Sequence, residues 1–267
     1  MPIANARMYS AAPAAKAAWK DVLGWVLRHA GLPWDVIDYD APAPLNALWA
    51  RDDLGLAMMC GLPYARREPR PLLLAAPIPS PARYGGQPVY MTDIVVRADA
   101  PYQRIEDTFG GVAGYTLADS MSGGVVFAHV LAPYRQARGS RLYRASVGNL
   151  IHARGVIEAL AEGRIDVGPL DSYYHDLLRA HDPALAGRVR TIATTRPLPI
   201  PPLIATAALS SQEIDRLRGA LQAAGVAPDL HAQRQALLLA GFAQPQPSDY
   251  ERVAQVAQGP LAPLEEL

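Results

Sequence analysis

The stretch GYTLADSMSGGVVFAHVL, residues 114–131, decides how this chain is read. Small and apolar positions give way to a hydroxyl-rich loop and then to a run of Val, Phe, Ala and Leu, the order of a strand, a loop and a helix. The first amides of a helix have no intrahelical acceptor, and the aligned peptide dipoles put partial positive charge there. Ser120 and Ser122 add hydroxyl donors, while Gly123 and Gly124 let a ligand approach the backbone closely. Together they make an uncharged cradle for an oxyanion such as phosphate, phosphonate or carboxylate. The competing reading is that Ser120 or Ser122 simply caps the helix. Nucleophilic catalysis is poorly served, because an elbow of the G-x-S-x-G type needs glycine two residues before the serine, where this chain has Ser120.

Outward from this segment, short apolar runs alternate with amphipathic stretches, which predicts an α/β fold. Strands are expected over residues 3–9, 34–39, 54–60, 71–78 and 89–97, with a helix over 14–29 stopped by Gly31 and Pro33. A second block follows: strands over 112–118, 141–147, 165–170, 189–194 and 203–207, and helices over 122–134, 149–162 and 172–181. The 149–162 helix ends at Gly163 with a C-cap signal. Ser210 with Glu213, and Ser248 with Glu251, read as capping boxes of two late helices. Extended stretches around Tyr90–Arg97 and Ile192–Ile204 can act as paired crossings. They would divide the chain into one lobe of residues 1–93 plus 197–267 and another of 94–196, with the cleft between α/β lobes as the place for a small ligand.

Composition narrows the partners. The 267 residues carry 25 Lys+Arg against 25 Asp+Glu, so nucleic acid and anionic membrane surfaces, which demand surplus positive charge, are not expected. Lys16 and Lys20 are the only lysines. Cys60 is the single cysteine, which excludes an internal disulfide and a cysteine-based zinc cluster. Six scattered histidines do not pair at metal-ligand spacing, so no metal is expected, and no nucleotide-binding glycine motif points to a cofactor. No run of eighteen apolar residues predicts a membrane span. Residues 1–20 do not read as a secretory signal, so the chain as written stays where it is made.

Other segments offer chemistry at strand ends, where ligands of open α/β sheets collect. In LAMMCGLPYARR, residues 56–67, an apolar strand runs into Cys60-Gly61, and Tyr64 follows at a helix start. Cys60 is read as structural before reactive, since free cysteines are mostly buried. In VYMTDIVVR, residues 89–97, Tyr90 and Thr92 share one face of a strand, and Met91 and Asp93 the other. Asp171 ends the strand in IDVGPLDSYY and is either an acceptor for a ligand or a helix N-cap. The run Arg135, Arg138, Arg141 and Arg144 is read as a solvated loop and edge strand rather than a nucleic-acid patch.

The order of these segments resembles the phosphate/phosphite/phosphonate-binding proteins of ABC importers, a branch of the type 2 periplasmic-binding-protein fold. The resemblance rests on Met8-Tyr9 after the first strand, the Cys60–Tyr64 turn, the Tyr90–Arg97 crossing, Ser120-Met121-Ser122-Gly123, residues 156–172 (VIEALAEGRIDVGPLDS), and Pro199–Leu203 on the return. It implies two α/β lobes joined by two extended strands and closing on an oxyanion. By matching motif it implies that Ser120 and Ser122 hold the anion, helped by Tyr64 and Tyr90, with Asp171 near an acidic position of relatives; Tyr9, Cys60, Gly61, Met121 and Gly123 complete the expected ligand-binding residues. Met121 stands where relatives carry a middle hydroxyl, and His152 is out of register with a histidine they often place at a helix start.

The expected function is therefore that of a non-enzymatic solute-binding protein for a small, phosphonate-like anion, with an ABC-transporter permease as partner and the periplasm as location by resemblance. No direct membrane insertion is expected. A cytosolic enzyme on the same fold, a small-molecule lyase or synthase using Asp171, Tyr90 or Cys60, is the alternative from another class, and a ligand sensor a third.

Overall fold

The computed structural model describes residues 1–258, 261 and 263–266. The chain forms two compact units: residues 1–89 with 199–251, and residues 90–198 with 252–267.

The first unit is built on a six-stranded sheet in the order Leu239–Ala243, Leu72–Pro79, Leu203–Ala205, Leu54–Met58, Ile3–Asn5, Asp35–Val36. Ile3–Asn5 runs parallel to both of its neighbours. Leu203–Ala205 is antiparallel to Leu54–Met58 and to Leu72–Pro79, which also pairs antiparallel with Leu239–Ala243. All five residues of Leu54–Met58 are buried, as its continuously apolar sequence demands of a doubly covered strand. Gly55 lies in this strand because the Trp34 ring occupies its side-chain space: a β-carbon there would stand 2.2 Å from the indole. The helix Pro13–His29 buries Ala15, Ala18, Trp19, Val22, Leu23, Val26 and Leu27, an apolar stripe at three- and four-residue spacing. Gly31, at φ 64°, turns the chain away after it.

The second unit has an antiparallel three-stranded sheet, Val189–Thr194, Thr92–Arg97 and Gly168–Asp171, with Thr92–Arg97 in the centre. Val112–Gly114 and Ala145–Val147 form a parallel pair. A parallel bridge from Ala113 to Val167 links that pair to the segment entering Gly168–Asp171. Ile94 and Val96 project from one face of the central strand into a core with Ala113, Phe127, Leu131, Leu142, Tyr143 and Val167. The opposite face carries a polar cluster. Asp93, fully buried, accepts hydrogen bonds from Thr194 Oγ1 at 2.9 Å and from His175 Nδ1 at 3.0 Å, and His175 is itself fully buried. The lone charge in TDIVV is thus a structural acceptor inside the sheet, consistent with the rule that buried polar groups find partners.

Several expected elements differ in extent, each for a local reason. The first strand ends at Asn5, whose Oδ1 accepts from Arg7 N and whose Nδ2 donates to Ile37 O; residues 7–9 then form a 3-10 turn. The helix expected over 149–162 runs from Ala153 to Ala161, because Asn149 and Ile151 take left-handed backbone at φ 56° and 66°. His152 caps it, accepting from Gly155 N at 3.1 Å. Ser210 and Glu213 form the expected capping box. Ser248 instead lies inside a 3-10 turn, Pro247–Tyr250, which opens with Asp249 accepting from Gln246 N at 2.7 Å. No helix among the described residues is long and apolar enough to cross a membrane.

Replacing Gly55 with Ala should destabilise the first unit by about 1–3 kcal/mol, the usual cost of overpacking a filled core. Urea unfolding measures it, and an unchanged midpoint would show that Trp34 gives way freely.

Candidate functional site

Strand direction sorts the candidate residues within each unit. In the first unit, Ile3–Asn5 and Leu54–Met58 are parallel neighbours, so their carboxyl ends open at the same edge of the sheet. Tyr9 follows the first strand and is 1 % exposed. Cys60 and Gly61 follow the second. Cys60 is half-buried and precedes the short helix Gly61–Arg66, where its carbonyl accepts from Tyr64 N at 3.0 Å. Tyr64 is buried with its ring edge-on to Tyr250 at 5.0 Å, and burial raises its phenol above the ordinary range. Tyr9, Cys60, Gly61 and Tyr64 therefore belong to one end of one sheet.

The second unit gathers the rest. Thr92 is in register with Asp171, so the Tyr90–Met91 entry to the central strand and the end of Gly168–Asp171 meet at one edge. Ser172 closes that edge: its Oγ accepts from Met91 N at 2.8 Å, and its own N–H donates to Met91 O at 2.9 Å. Tyr90 is buried there. Asp171 caps the helix Ser172–His181, with Oδ1 accepting from Tyr173 N at 2.9 Å and Tyr174 N at 3.0 Å. The cap reading of Asp171 thus describes its backbone role.

Val112–Gly114 delivers the chain to the serine loop at the same end, because its bridge to the 167–171 segment is parallel. The helix that follows opens with a wide π turn, Met121–Val125, and continues as Val126–Arg138. Such turns recur at functional sites. Ser120 is the N-cap: its Oγ accepts from Gly123 N at 3.3 Å, and its carbonyl accepts from both Gly124 N and Val125 N at 3.0 Å. An accepting hydroxyl keeps its proton, so Ser120 can still donate. The Ser122 hydroxyl is half-buried and makes no hydrogen bond among the described residues, and the amides of Met121 and Ser122 lie before the first helical acceptor. Four donors therefore stand at one helix start without a formal charge among them. Met121 is fully buried.

The glycines here have a reason that sequence reasoning missed. A β-carbon on Gly123 would stand 1.8 Å from Thr116 Oγ1, and one on Gly124 would stand 2.4 Å from Leu117 O. Thr116 N also donates to Gly123 O at 3.0 Å. The loop thus folds back beneath its own helix, and glycine is what allows the approach. The buried Asp93–His175 pair, with Thr194 donating to Asp93 from an exposed position, was also missed as a unit. Its only sequence signal is an aspartate within an otherwise apolar strand.

No group of three or more His, Cys, Asp or Glu side chains able to hold a metal occurs among the described residues. The arginine run is not simply solvated. Arg138 lies over the Phe109 ring at 5.0 Å, Arg135 pairs with Glu266 at 3.3 Å, and Arg141 donates to Glu265 O at 2.5 Å.

Solved structures share this architecture. A phosphonate-transporter binding protein from Pseudomonas aeruginosa superposes with a TM-score of 0.75 at 16% identity, covering 99% of this chain and 92% of its own. PhnD1 from Prochlorococcus marinus, solved with methylphosphonate, gives 0.77 at 12% identity, covering 96% and 97%. A Xanthomonas citri protein bound to ATP gives 0.65 at 19% identity, covering 96% of each. These likenesses establish the type 2 periplasmic-binding-protein fold. No curated protein matches the chain. The sequence model of the family described as "ABC transporter, phosphonate, periplasmic substrate-binding protein" matches residues 9–250. With nearly its whole length matched, this chain belongs to that family of substrate-binding proteins.

Proposed function

We propose that the chain binds a small oxyanion of the phosphonate class at the Ser120–Ser122 helix start, and that it does so for delivery to an ABC-transporter permease in the periplasm. The observation that carries the reading is the set of uncommitted donors: the Ser122 hydroxyl, the Ser120 proton, and the Met121 and Ser122 amides at the positive end of the 121–138 helix. Tyr90 and Asp171, at the same sheet edge of the second unit, are proposed as further ligand contacts. The methylphosphonate held by the Prochlorococcus protein supports this class of ligand.

A tetrahedral oxyanion suits the cradle because its several oxygens can each accept from an amide or a hydroxyl, with no counter-charge needed beyond the helix dipole. The two serines play separable parts. Ser120→Ala removes a cap and should lower stability by about 1 kcal/mol. Ser122→Ala leaves the cap intact and should weaken anion binding by about 1–3 kcal/mol, a hydrogen bond to a charged group, at unchanged melting temperature. Isothermal titration against methylphosphonate, phosphite and phosphate, paired with thermal unfolding, separates them. Binding of none of the three at millimolar concentration would refute the oxyanion reading.

Catalysis has no part in this proposal. The family is one of substrate-binding proteins, and the acceptor oxygen of Asp171 already serves two amides. Methylphosphonate incubated with the protein should show a constant phosphorus NMR spectrum over hours; appearance of a new phosphorus species would favour an enzyme.

A further inference from the structure

We propose that the segment Leu264–Glu266 is a strap that holds the Ser120–Ser122 cradle in register, with Tyr115 and Glu265 as positioning residues; the role in binding rests on the reading above, whereas the strap itself does not.

The segment is fastened at three points within the second unit. Glu265 Oε1 accepts from the Tyr115 hydroxyl at 2.8 Å. Arg141 Nη2 donates to Glu265 O at 2.5 Å. Arg135 donates to Glu266 O and pairs with its carboxylate at 3.3 Å. Leu264, 5 % exposed, joins the core that contains Phe127, Ala128 and Leu131 of the cradle's own helix. The strap therefore grips that helix near its last turn, through Arg135, and the loop beneath its first turn, through Tyr115.

Tyr115 is the point of leverage. Its backbone is pinned on both sides, with N–H to Val147 O at 3.0 Å and O accepting from Leu150 N at 3.3 Å. Its ring fills the space where a Gly148 side chain would be, with the hydroxyl 2.4 Å from that β-carbon position. The next residue, Thr116, is the one on which Gly123 rests. Ser120 N donates back to Leu117 O at 3.1 Å, so the floor from 115 to 120 is a continuous set of contacts ending at the capping serine. A carboxylate holding the Tyr115 hydroxyl sets the far end of this floor without touching the anion. Burial and the Glu265 contact push the Tyr115 phenol up to about 12, and Glu265 is held below the usual carboxyl range by its own amide and by Tyr115. A depressed carboxyl contributes its stabilisation above its unfolded pKa, about 4.3, and loses it as the pH falls below that value.

Hydrogen–deuterium exchange on the full chain, without ligand, reads the strap directly. Tyr115→Phe keeps the buried ring and removes only the hydroxyl; Glu265→Ala removes the acceptor; Glu265→Gln restores one. The first two variants should release the amides of 264–266 and speed exchange at 121–125 by about three- to tenfold at a little-changed melting temperature, with Glu265→Gln close to wild type. Affinity for methylphosphonate should fall by a similar factor in the same two variants. Unchanged exchange at 121–125 after release of 264–266, or continued protection of 264–266 in Glu265→Ala, would overturn the proposal. Should the wild-type protein bind no anion, the functional reading falls, and the exchange comparison still decides the strap.

Discussion

The second unit depends on a contact that only the absence of a side chain permits. Thr116 occupies the volume that a β-carbon of Gly123 would need, and Thr116 N donates to Gly123 O. This packs the incoming loop against the π turn Met121–Val125 that opens the helix. For the anion site proposed at this helix start, specificity would be geometric, because no strong Coulomb term compensates for misplaced donors.

The chain's charge balance follows from the same economy. Its 25 basic residues offset 25 acidic ones, and arginines that looked like a basic surface are engaged in holding the chain together. Arg135 and Arg141 bind the acidic Glu265–Glu266 segment, Arg190 donates to Ala100 O, and Arg154 pairs with Asp182 at 2.9 Å. A planar guanidinium with several fixed donors suits such main-chain and carboxylate contacts.

Periodic features were legible in the sequence, and features made by single residues were not. The stripe from Ala15 to Leu27 announces its helix because one buried face repeats at three and four residues. The order of segments around Tyr90–Arg97 and Ser120–Gly123 carried the family resemblance, which the match over residues 9–250 bears out. The late start of the Ala153–Ala161 helix was hidden, since left-handed backbone at Ile151 contradicts the preference of a β-branched residue. The sequence QPSDYE contains two overlapping cap patterns, and only geometry selects Gln246 with Asp249 over Ser248 with Glu251. Which serine caps the helix that follows was undecidable for the same reason, as both stand before it. The pairing of Asp93 with His175 across 82 residues, with no periodicity to mark it, lay beyond any local reading.

The hydrogen bond from Tyr115 to Glu265 joins residues 150 positions apart. A ribosome must therefore make residues 116 to 264, including all of 199–251 in the other unit, before this bond closes. Loops of that length are slow to form, and contacts so distant in sequence come late. The bond between Tyr115 and Glu265 would then be among the last contacts of the second unit to form. A nascent chain short of Glu265 must do without it, so synthesis itself places this fastening after the strands and helices that precede it.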